Sequence, residues 1–409
     1  MKYVIVGAGP AGVIAAETLR KADPSGDIVL LGDEPEPPYS RMAIPYYLTG
    51  GIDEAGTYIR KTPNHYDDLA IRYVQGRATK VGAGGLATED GGDIEFDRLL
   101  VATGASPLDP PVDGLESSAV HHCWTLEDAR HIIELAGVGS RVVLMGAGFI
   151  GCIILESLVE RGVALTVVEA EDRMLPRMMD KPGADMIKAW CEGKGITVLT
   201  STRIKAIEPA PAGVRVHFEG GGDVPADLVV VATGVGSNTG FLEGSGVKVE
   251  EGIVVDDRLK STQDAIYAAG DCAQGPDQMG GWSVHAIQPT AAEHGRVAAL
   301  NMAGRDTPYK GSLNMNVLNT AGLVSCSFGL WDGVKGGTSA ESLDREASKY
   351  IRLEFQDDHL VGALTLGRTD FVGVLRGLIQ GRIPLGPWKD KLTDNPHRIM
   401  EAYLASTMA

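Results

Sequence analysis

Three glycines spaced G-x-G-x-x-G occur twice in this chain. The stretch "YVIVGAGPAGVIAAET" sets Gly7, Gly9 and Gly12 behind an apolar run, and "VVLMGAGFIGCIILES" sets Gly146, Gly148 and Gly151 in the same frame. Each triplet suits a turn from a buried strand into a helix. The first glycine permits the tight turn, the second lets backbone approach a pyrophosphate, and the third lets helix and strand pack closely. The helix start then offers unpaired N–H groups and partial positive charge to the phosphates. Pro10 and Ala11 in the first copy, and Phe149 and Ile150 in the second, open those helices and belong to the same binding turns. An acid follows the next strand each time: Asp33 or Glu34 after "DIVLLG", and Glu169 after "ALTVV". Such a carboxylate accepts from ribose hydroxyls. Glu169 would repel a 2′-phosphate and so favours NADH over NADPH, a preference softened by nearby Arg173.

The repeat runs further. "LLVATGASP" carries Ala102, Thr103 and Gly104, and "LVVVATGVGSN" carries Thr233 and Gly234. Both read as a buried strand ending in a turn that brings backbone against a dinucleotide. Two units sharing glycine turn, acid and Ala-Thr-Gly strand in one order imply that the chain binds two dinucleotides. "DAIYAAGDCA" then ends a strand at Gly270-Asp271. A carboxylate there, just beyond the second unit, can hydrogen-bond the ribityl chain of a flavin. After a glycine-rich loop, Gln288 and Pro289 stand at the first turn of a helix over Thr290–Met302, where proline is well tolerated. His285 lies near this end with no metal constellation around it.

These groups must be positioned by strands of buried β type alternating with amphipathic helices. A chain of 409 residues is long enough for two or three domains with real cores. The net charge of −17 disfavours nonspecific binding to nucleic acid or an anionic membrane surface. No apolar run approaches the ~20 residues of a membrane-spanning helix. A strand pattern starting at Lys2 leaves no room for a leader peptide, so a cytoplasmic location is the expectation. The five cysteines, Cys123, Cys152, Cys191, Cys272 and Cys326, are scattered and form no C-x-x-C pair, which indicates neither a disulfide framework nor a structural metal site.

With both glycine turns, both Ala-Thr-Gly strands and Gly270-Asp271 in place, the chain resembles the FAD- and NAD(P)-dependent pyridine nucleotide-disulfide oxidoreductase superfamily. The resemblance implies an α/β fold: two Rossmann-like domains of glutathione-reductase type, with the NAD domain inserted in the FAD domain, plus a small α+β C-terminal domain. It implies FAD held by residues 1–111 and 252–307, NAD(H) held by 112–251, and a C-terminal interface domain over 308–409. By the same resemblance Gly7–Gly12, Asp33 and Glu34, Thr103-Gly104 and Asp271 hold FAD, and Gly146–Gly151 and Glu169 hold NADH. The Gln288 helix would aim its N-terminus at the flavin ring.

The disulfide reductases of this superfamily place C-x-x-x-x-C soon after the first acid, whereas "PPYSRMAIPYYLTGGIDEAGTYIRK" contains no cysteine. Thiol relay chemistry is therefore not expected. The segment "PYSRMAIPYYLTG" instead resembles NADH:rubredoxin reductases, the FAD part of NADH-dependent nitrite reductases and ferredoxin reductases of oxygenase systems. In that group Arg41 would approach the FAD phosphate or ribose; a solvated loop arginine is the other reading. Most relatives continue the second turn with Gly-hydrophobic-Glu, where this chain has Ile153, so one carboxylate usually near the nicotinamide is absent. Hydride transfer itself needs no protein acid or base.

The implied activity is electron passage between NAD(H) and an iron–sulfur or metal partner. The chain would act as a rubredoxin or ferredoxin reductase, or as the flavin subunit of a larger complex such as an aldehyde oxidoreductase. Reduction of oxygen to peroxide and a noncatalytic flavin-bound assembly module remain the alternatives. An acidic chain slows encounter with an acidic partner, which a basic patch of Arg368, Arg376, Arg382, Lys389 and Lys391 could overcome. "KYIRLEF" and "LVGALTL" read as a hairpin, Asn314, Asn316 and Asn319 as one polar face, and Trp388 as exposed in a loop.

Overall fold

The computed structural model describes residues 1–82, 85–368 and 370–408. The chain forms two compact units, one of residues 1–47, 52–106 and 235–312, the other of residues 48–51, 107–234 and 313–409.

In the first unit β1 (Lys2–Val6) runs into α1 (Pro10–Ala22) and returns as β2 (Asp27–Gly32). Tyr3 to Val6 and Ile28 to Leu31 are buried on both faces, as the near-continuous apolar runs require in a covered parallel sheet. The parallel sheet has the strand order Ile266–Ala268, Arg98–Val101, β1, β2, Ile71–Gln75. The helix Gln288–Met302 packs on α1 so closely that a Cβ on Gly295 would lie 2.2 Å from the Ala11 carbonyl oxygen.

The second unit repeats the plan. Strand β3 (Arg141–Met145) leads into α2 (Phe149–Glu160), β4 (Ala164–Val168) and, after a loop, α3 (Lys181–Gly193). Its parallel sheet is ordered Val120–His122, Leu228–Val231, β3, β4, Thr197–Leu199, the same sequence of roles as in the first unit. Each unit also carries a three-stranded antiparallel sheet, spanning 78–95 in the first and 204–226 in the second. The mixed α/β fold and the doubling anticipated from sequence are both present.

The C-terminal part of the second unit is a five-stranded antiparallel sheet with the order Met315–Thr320, Leu323–Gly329, His359–Leu366, β6 (Lys349–Gln356) and β5 (Thr338–Asp344). The anticipated hairpin is formed by β6 and His359–Leu366. Two local expectations fail. Asn319 is exposed while Leu318 and Thr320 are buried, and Asn316 falls on their side of the strand by period-two alternation, so the asparagines do not share a face. Trp388 opens the helix Trp388–Asp394 and is half-buried, with Lys391 Nζ 4.2 Å and Arg398 Cζ 4.9 Å from its ring centre. Two cations on an amphipathic indole offset the exposure expected of a loop tryptophan.

Candidate functional site: two matched nucleotide cradles

The glycines of the first turn have three different surroundings. Gly7 takes φ +109°, and a Cβ there would lie 2.1 Å from the Ala102 carbonyl oxygen. A Cβ on Gly12 would lie 1.9 Å from the Gly7 carbonyl oxygen, so helix and turn touch through bare backbone. Gly9 has nothing within 4 Å of its would-be Cβ. Its space is open, at the start of α1, where Pro10 is the first helical residue. The second turn reproduces this. Gly146 has φ +100° with the Ala232 carbonyl oxygen at 2.4 Å, Gly151 meets the Gly146 carbonyl oxygen at 2.2 Å, and Gly148 again has nothing within 4 Å. The backbone closure matches too: Gly7 N–H donates to the Leu31 carbonyl and Gly146 N–H to the Val168 carbonyl, both at 2.8 Å. Phe149 and Ile150 open α2 as half-buried residues behind the open turn. Each cradle fits a pyrophosphate: a helix start with free N–H groups, and a clear space that any side chain at the middle glycine would fill.

The acids differ between the copies. Val6 pairs with Leu31 and Met145 with Val168, so Glu169 corresponds by register to Gly32, and Asp33 and Glu34 lie one and two residues farther on. Glu169 is only 7% exposed, and its carboxylate accepts from Ala147 N–H at 2.7 Å and Glu171 N–H at 2.8 Å. It therefore ties the loop after β4 to the second glycine turn. Arg173 turns its guanidinium onto the Met179 and Pro176 carbonyls, at 3.3 and 3.4 Å, and onto Asp172 at 2.8 Å. In the first unit Asp33 pairs with Arg77 at 3.0 Å, and Glu34 accepts from Arg41 at 2.5 Å and from the Tyr39 hydroxyl. Arg41 also donates to Tyr39 at 2.7 Å. Arg41 is thus a member of a tyrosine–glutamate cluster rather than a solvated loop arginine.

The two Ala-Thr-Gly turns flank their glycine triplets. Thr103 Oγ1 donates to the Asn238 carbonyl at 2.7 Å and Asn238 Nδ2 donates back to the Thr103 carbonyl at 3.0 Å. Gly104 has φ +62° and open space beside it. Thr233 Oγ1 donates to the Leu108 carbonyl at 3.1 Å, and Gly234 has φ +130° and is likewise open. Gly270 has φ +77° and donates its N–H to His294 Nδ1 at 3.3 Å, which fixes the turn that carries Asp271. Burial pushes the Asp271 carboxyl up to about 6, against the pull of the Arg41 charge. Gln288 starts its helix with Pro289 in the first turn, and accepts from the Ser40 hydroxyl at 2.6 Å. Among the first-unit residues, then, the structure brings Glu34 against Arg41, ties Gly270 and Asp271 to the Gln288 helix, and holds Gln288 on the loop preceding Arg41.

His294, Asn238 and Ser40 were not singled out by sequence reasoning. Asn238 and Ser40 lie inside quoted motifs, but their partners are 135 and 248 residues away and have no local signal. All five cysteines are buried as free thiols. Burial pushes Cys123 and Cys191 up to about 12 and raises Cys272 as well. None is poised as a thiolate. Ile153 is half-buried on α2 beside fully packed Ile154 and Leu155. Among the described residues no cluster of histidine, cysteine, aspartate or glutamate could hold a metal ion, and no helix is long and apolar enough to cross a membrane.

Residues 1–294 match the model of the pyridine nucleotide-disulphide oxidoreductase family. The chain is 30% identical to the NADH-dependent phenylglyoxylate dehydrogenase subunit epsilon of Aromatoleum evansii, across 99% of this chain and 98% of that one. It is 33% identical to a probable ferredoxin reductase of Castellaniella defragrans, across 75% and 76% of the two chains. Among solved structures it superposes on that of the covalent putidaredoxin reductase–putidaredoxin complex with a TM-score of 0.91 and 25% identity, across 100% of this chain and 99% of that one. The chain belongs to the pyridine nucleotide-disulphide oxidoreductase family. It is an NAD(P)H-dependent flavoprotein oxidoreductase whose cofactors are FAD and NAD(H).

Proposed function

We propose that this member of the pyridine nucleotide-disulphide oxidoreductase family holds FAD in the first cradle and NADH in the second, and passes electrons to a separate iron–sulfur or metal-centre protein. Residues 1–111 and 252–307 are the FAD-binding part, 112–251 the NAD(H)-binding part and 308–409 the partner-facing part. When bound, FAD supplies the redox chemistry, taking two electrons as hydride from NADH and releasing them singly to a one-electron acceptor.

The protein's own residues bind and orient. Gly7, Gly9, Pro10, Ala11 and Gly12 hold the FAD pyrophosphate on the start of α1. Ala102, Thr103 and Gly104 supply open backbone beside it, and Glu34, steadied by Arg41, accepts from the adenosine ribose with Asp33 at its edge. Asp271, next to Gly270, accepts from the ribityl hydroxyls. Gln288 and Pro289 aim a helix N-terminus at the ring end, where negative charge gathers on reduction and the helix dipole favours it by of order 1 kcal/mol. Gly146, Gly148, Phe149, Ile150 and Gly151 repeat the pyrophosphate site for NADH, with Thr233 and Gly234 alongside. Glu169 meets the ribose, and its charge disfavours a 2′-phosphate. Arg173, occupied by backbone carbonyls, is poorly placed to offset that charge, which supports NADH as the donor.

The observation that carries this proposal is the pair of matched cradles in a chain whose thiols are all buried. Electrons then have no sulfur relay and leave for an external acceptor. The relatives named for phenylglyoxylate dehydrogenase and ferredoxin reduction support two partner types: a fixed subunit of a larger 2-oxoacid or aldehyde-oxidising assembly, or a diffusing iron–sulfur protein. A cytoplasmic location is consistent with both. The test is anaerobic addition of NADH to the purified yellow protein, followed by an iron–sulfur acceptor. Rapid bleaching and acceptor reduction are expected, the latter faster than oxygen consumption in a parallel aerobic assay without the acceptor. Protein purified without the capacity to take up FAD, or turnover that is greater with oxygen alone, overturns it.

A further inference from the structure

We propose that Tyr350 and Arg352, on the C-terminal sheet, are positioning residues for NADH: through Asp180 they fix the loop that presents Glu169. This rests on Glu169 being the nucleotide acid, as proposed above.

The loop from Glu169 to Asp180 is clamped at both ends. At its start, Glu169 takes Ala147 N–H, and Leu175 N–H donates to the Ala147 carbonyl at 2.8 Å, so both polar groups of a glycine-turn residue are held by the loop. Leu175 reaches that bond in the left-handed region at φ +53° although it is a buried leucine, a strain the surroundings must impose. At its end, Asp180 is 8% exposed and caps α3, accepting from Gly183 N–H at 3.1 Å. The other Asp180 oxygen accepts from the Tyr350 hydroxyl at 2.7 Å and from Arg352 Nη1 at 3.2 Å.

These two residues share one face of β6 with Glu354, while Ile351, Leu353 and Phe355 face the other way into apolar packing. Glu354 is 2% exposed, binds Arg352 Nε at 2.6 Å and accepts from Ser339 of β5 at 2.7 Å. The Tyr350 hydroxyl oxygen also lies 3.2 Å from a carboxylate oxygen of Glu341 on β5, so its single proton is shared between the two acids, with the shorter bond to Asp180. A sheet that needed only to cover the nucleotide domain would present apolar side chains there. This one presents a hydrogen-bonded polar row, with Tyr350 and Glu354 buried and Arg352 half-buried, and two of its three members meet on a single aspartate. Removing Tyr350 or Arg352 leaves the buried Asp180 carboxylate one donor short, and the structure relieves that by shifting the loop end that Asp180 anchors.

The test uses the FAD-loaded full chain, with steady-state kinetics and calorimetric binding of NAD+. Tyr350→Phe and Arg352→Met each raise KM for NADH and Kd for NAD+ about tenfold, while kcat at saturating NADH stays within about twofold and flavin content is unchanged. Arg352→Lys restores part of the loss. Ser339→Ala, which breaks a bond on the same polar row without touching Asp180, leaves both constants at their original values. The proposal is overturned if Tyr350→Phe, the milder change, lowers the melting temperature without moving KM or Kd, or if Ser339→Ala moves them equally. Glu169→Gln separates the two levels of inference. If it leaves KM unchanged, the nucleotide assignment itself fails; if it raises KM and neither Tyr350→Phe nor Arg352→Met does, only the link through Asp180 fails.

Discussion

Asp271 is the residue whose chemistry is most exposed to experiment. Its folded carboxyl titrates at about 6 against an ordinary value of 3.8, because burial disfavours the charge. A raised carboxyl means that the folded protein holds this proton more tightly than the unfolded chain does. Its favourable contribution is therefore complete below pH 3.8 and is lost as pH rises toward 6. In flavin-free protein, wild type should lose of order 2 kcal/mol relative to Asp271→Asn over that interval, read from melts at both ends. His294 acts one step behind. It is 1% exposed, and burial lowers it to about 4, so it is neutral when it accepts Gly270 N–H. Among the described residues nothing bonds its Nε2, which sits in a ring packed edge-on against Tyr309 at 4.7 Å. His294→Leu strands the Gly270 donor and should weaken FAD binding to the apoprotein about tenfold, a loss that His294→Gln largely restores by returning an acceptor. The buried cysteines give a negative counterpart: alkylation of the native protein with iodoacetamide should leave NADH turnover unchanged.

The glycine turns separate space for the fold from space for the ligand. Gly148 adopts an ordinary extended backbone at φ −75°, ψ −169° and has clear space around it, so Gly148→Ala should fold with its melting temperature preserved. Its methyl group then occupies phosphate space, and KM for NADH should rise tenfold or more, about 1.4 kcal/mol. Gly151→Ala presses a methyl to 2.2 Å from the Gly146 carbonyl oxygen and should instead destabilise the unit, by about 1–3 kcal/mol in a thermal melt. At this level the sequence was largely legible. Strand, turn and helix each have a local period, and the repeated order of Gly triplet and Ala-Thr-Gly strand turns two weak signals into one strong one. What could not be read were pairings between distant positions: Asn238 with Thr103, Ser40 with Gln288, Asp180 with Tyr350. No periodicity reports which residues meet after a hundred or more intervening ones. Trp388 failed for a related reason, since the cations that cover it become neighbours only once two short helices form.

For the molecule as a whole, charge is unevenly distributed. The chain carries 37 basic and 54 acidic residues. Within residues 368–409, however, Arg368, Arg376, Arg382, Lys389, Lys391 and Arg398 outnumber Asp370, Asp390, Asp394 and Glu401. Arg376 and Arg382 are exposed. An acidic iron–sulfur partner would be repelled by most of the surface and drawn to this part. Replacing Arg376 and Arg382 by glutamate should slow the second-order reduction of an acidic ferredoxin about tenfold at low ionic strength, with the difference vanishing in high salt. NADH reduction of the flavin should not change, because neither arginine lies in a cradle.

The two parallel sheets share an order of strands but not an order of synthesis. In the second unit the edge strand Val120–His122 precedes the glycine turn, so all five strands have been made once Leu228–Val231 has emerged. In the first unit the corresponding edge, Ile266–Ala268, comes last, and Asp271 and the Gln288–Met302 helix follow it. On the ribosome the parallel sheet of the second unit can therefore close while that of the first still waits with an open flank. With FAD in the first cradle, as proposed, its capture would belong to the final third of translation, and a chaperone or an early supply of FAD would matter most during that wait.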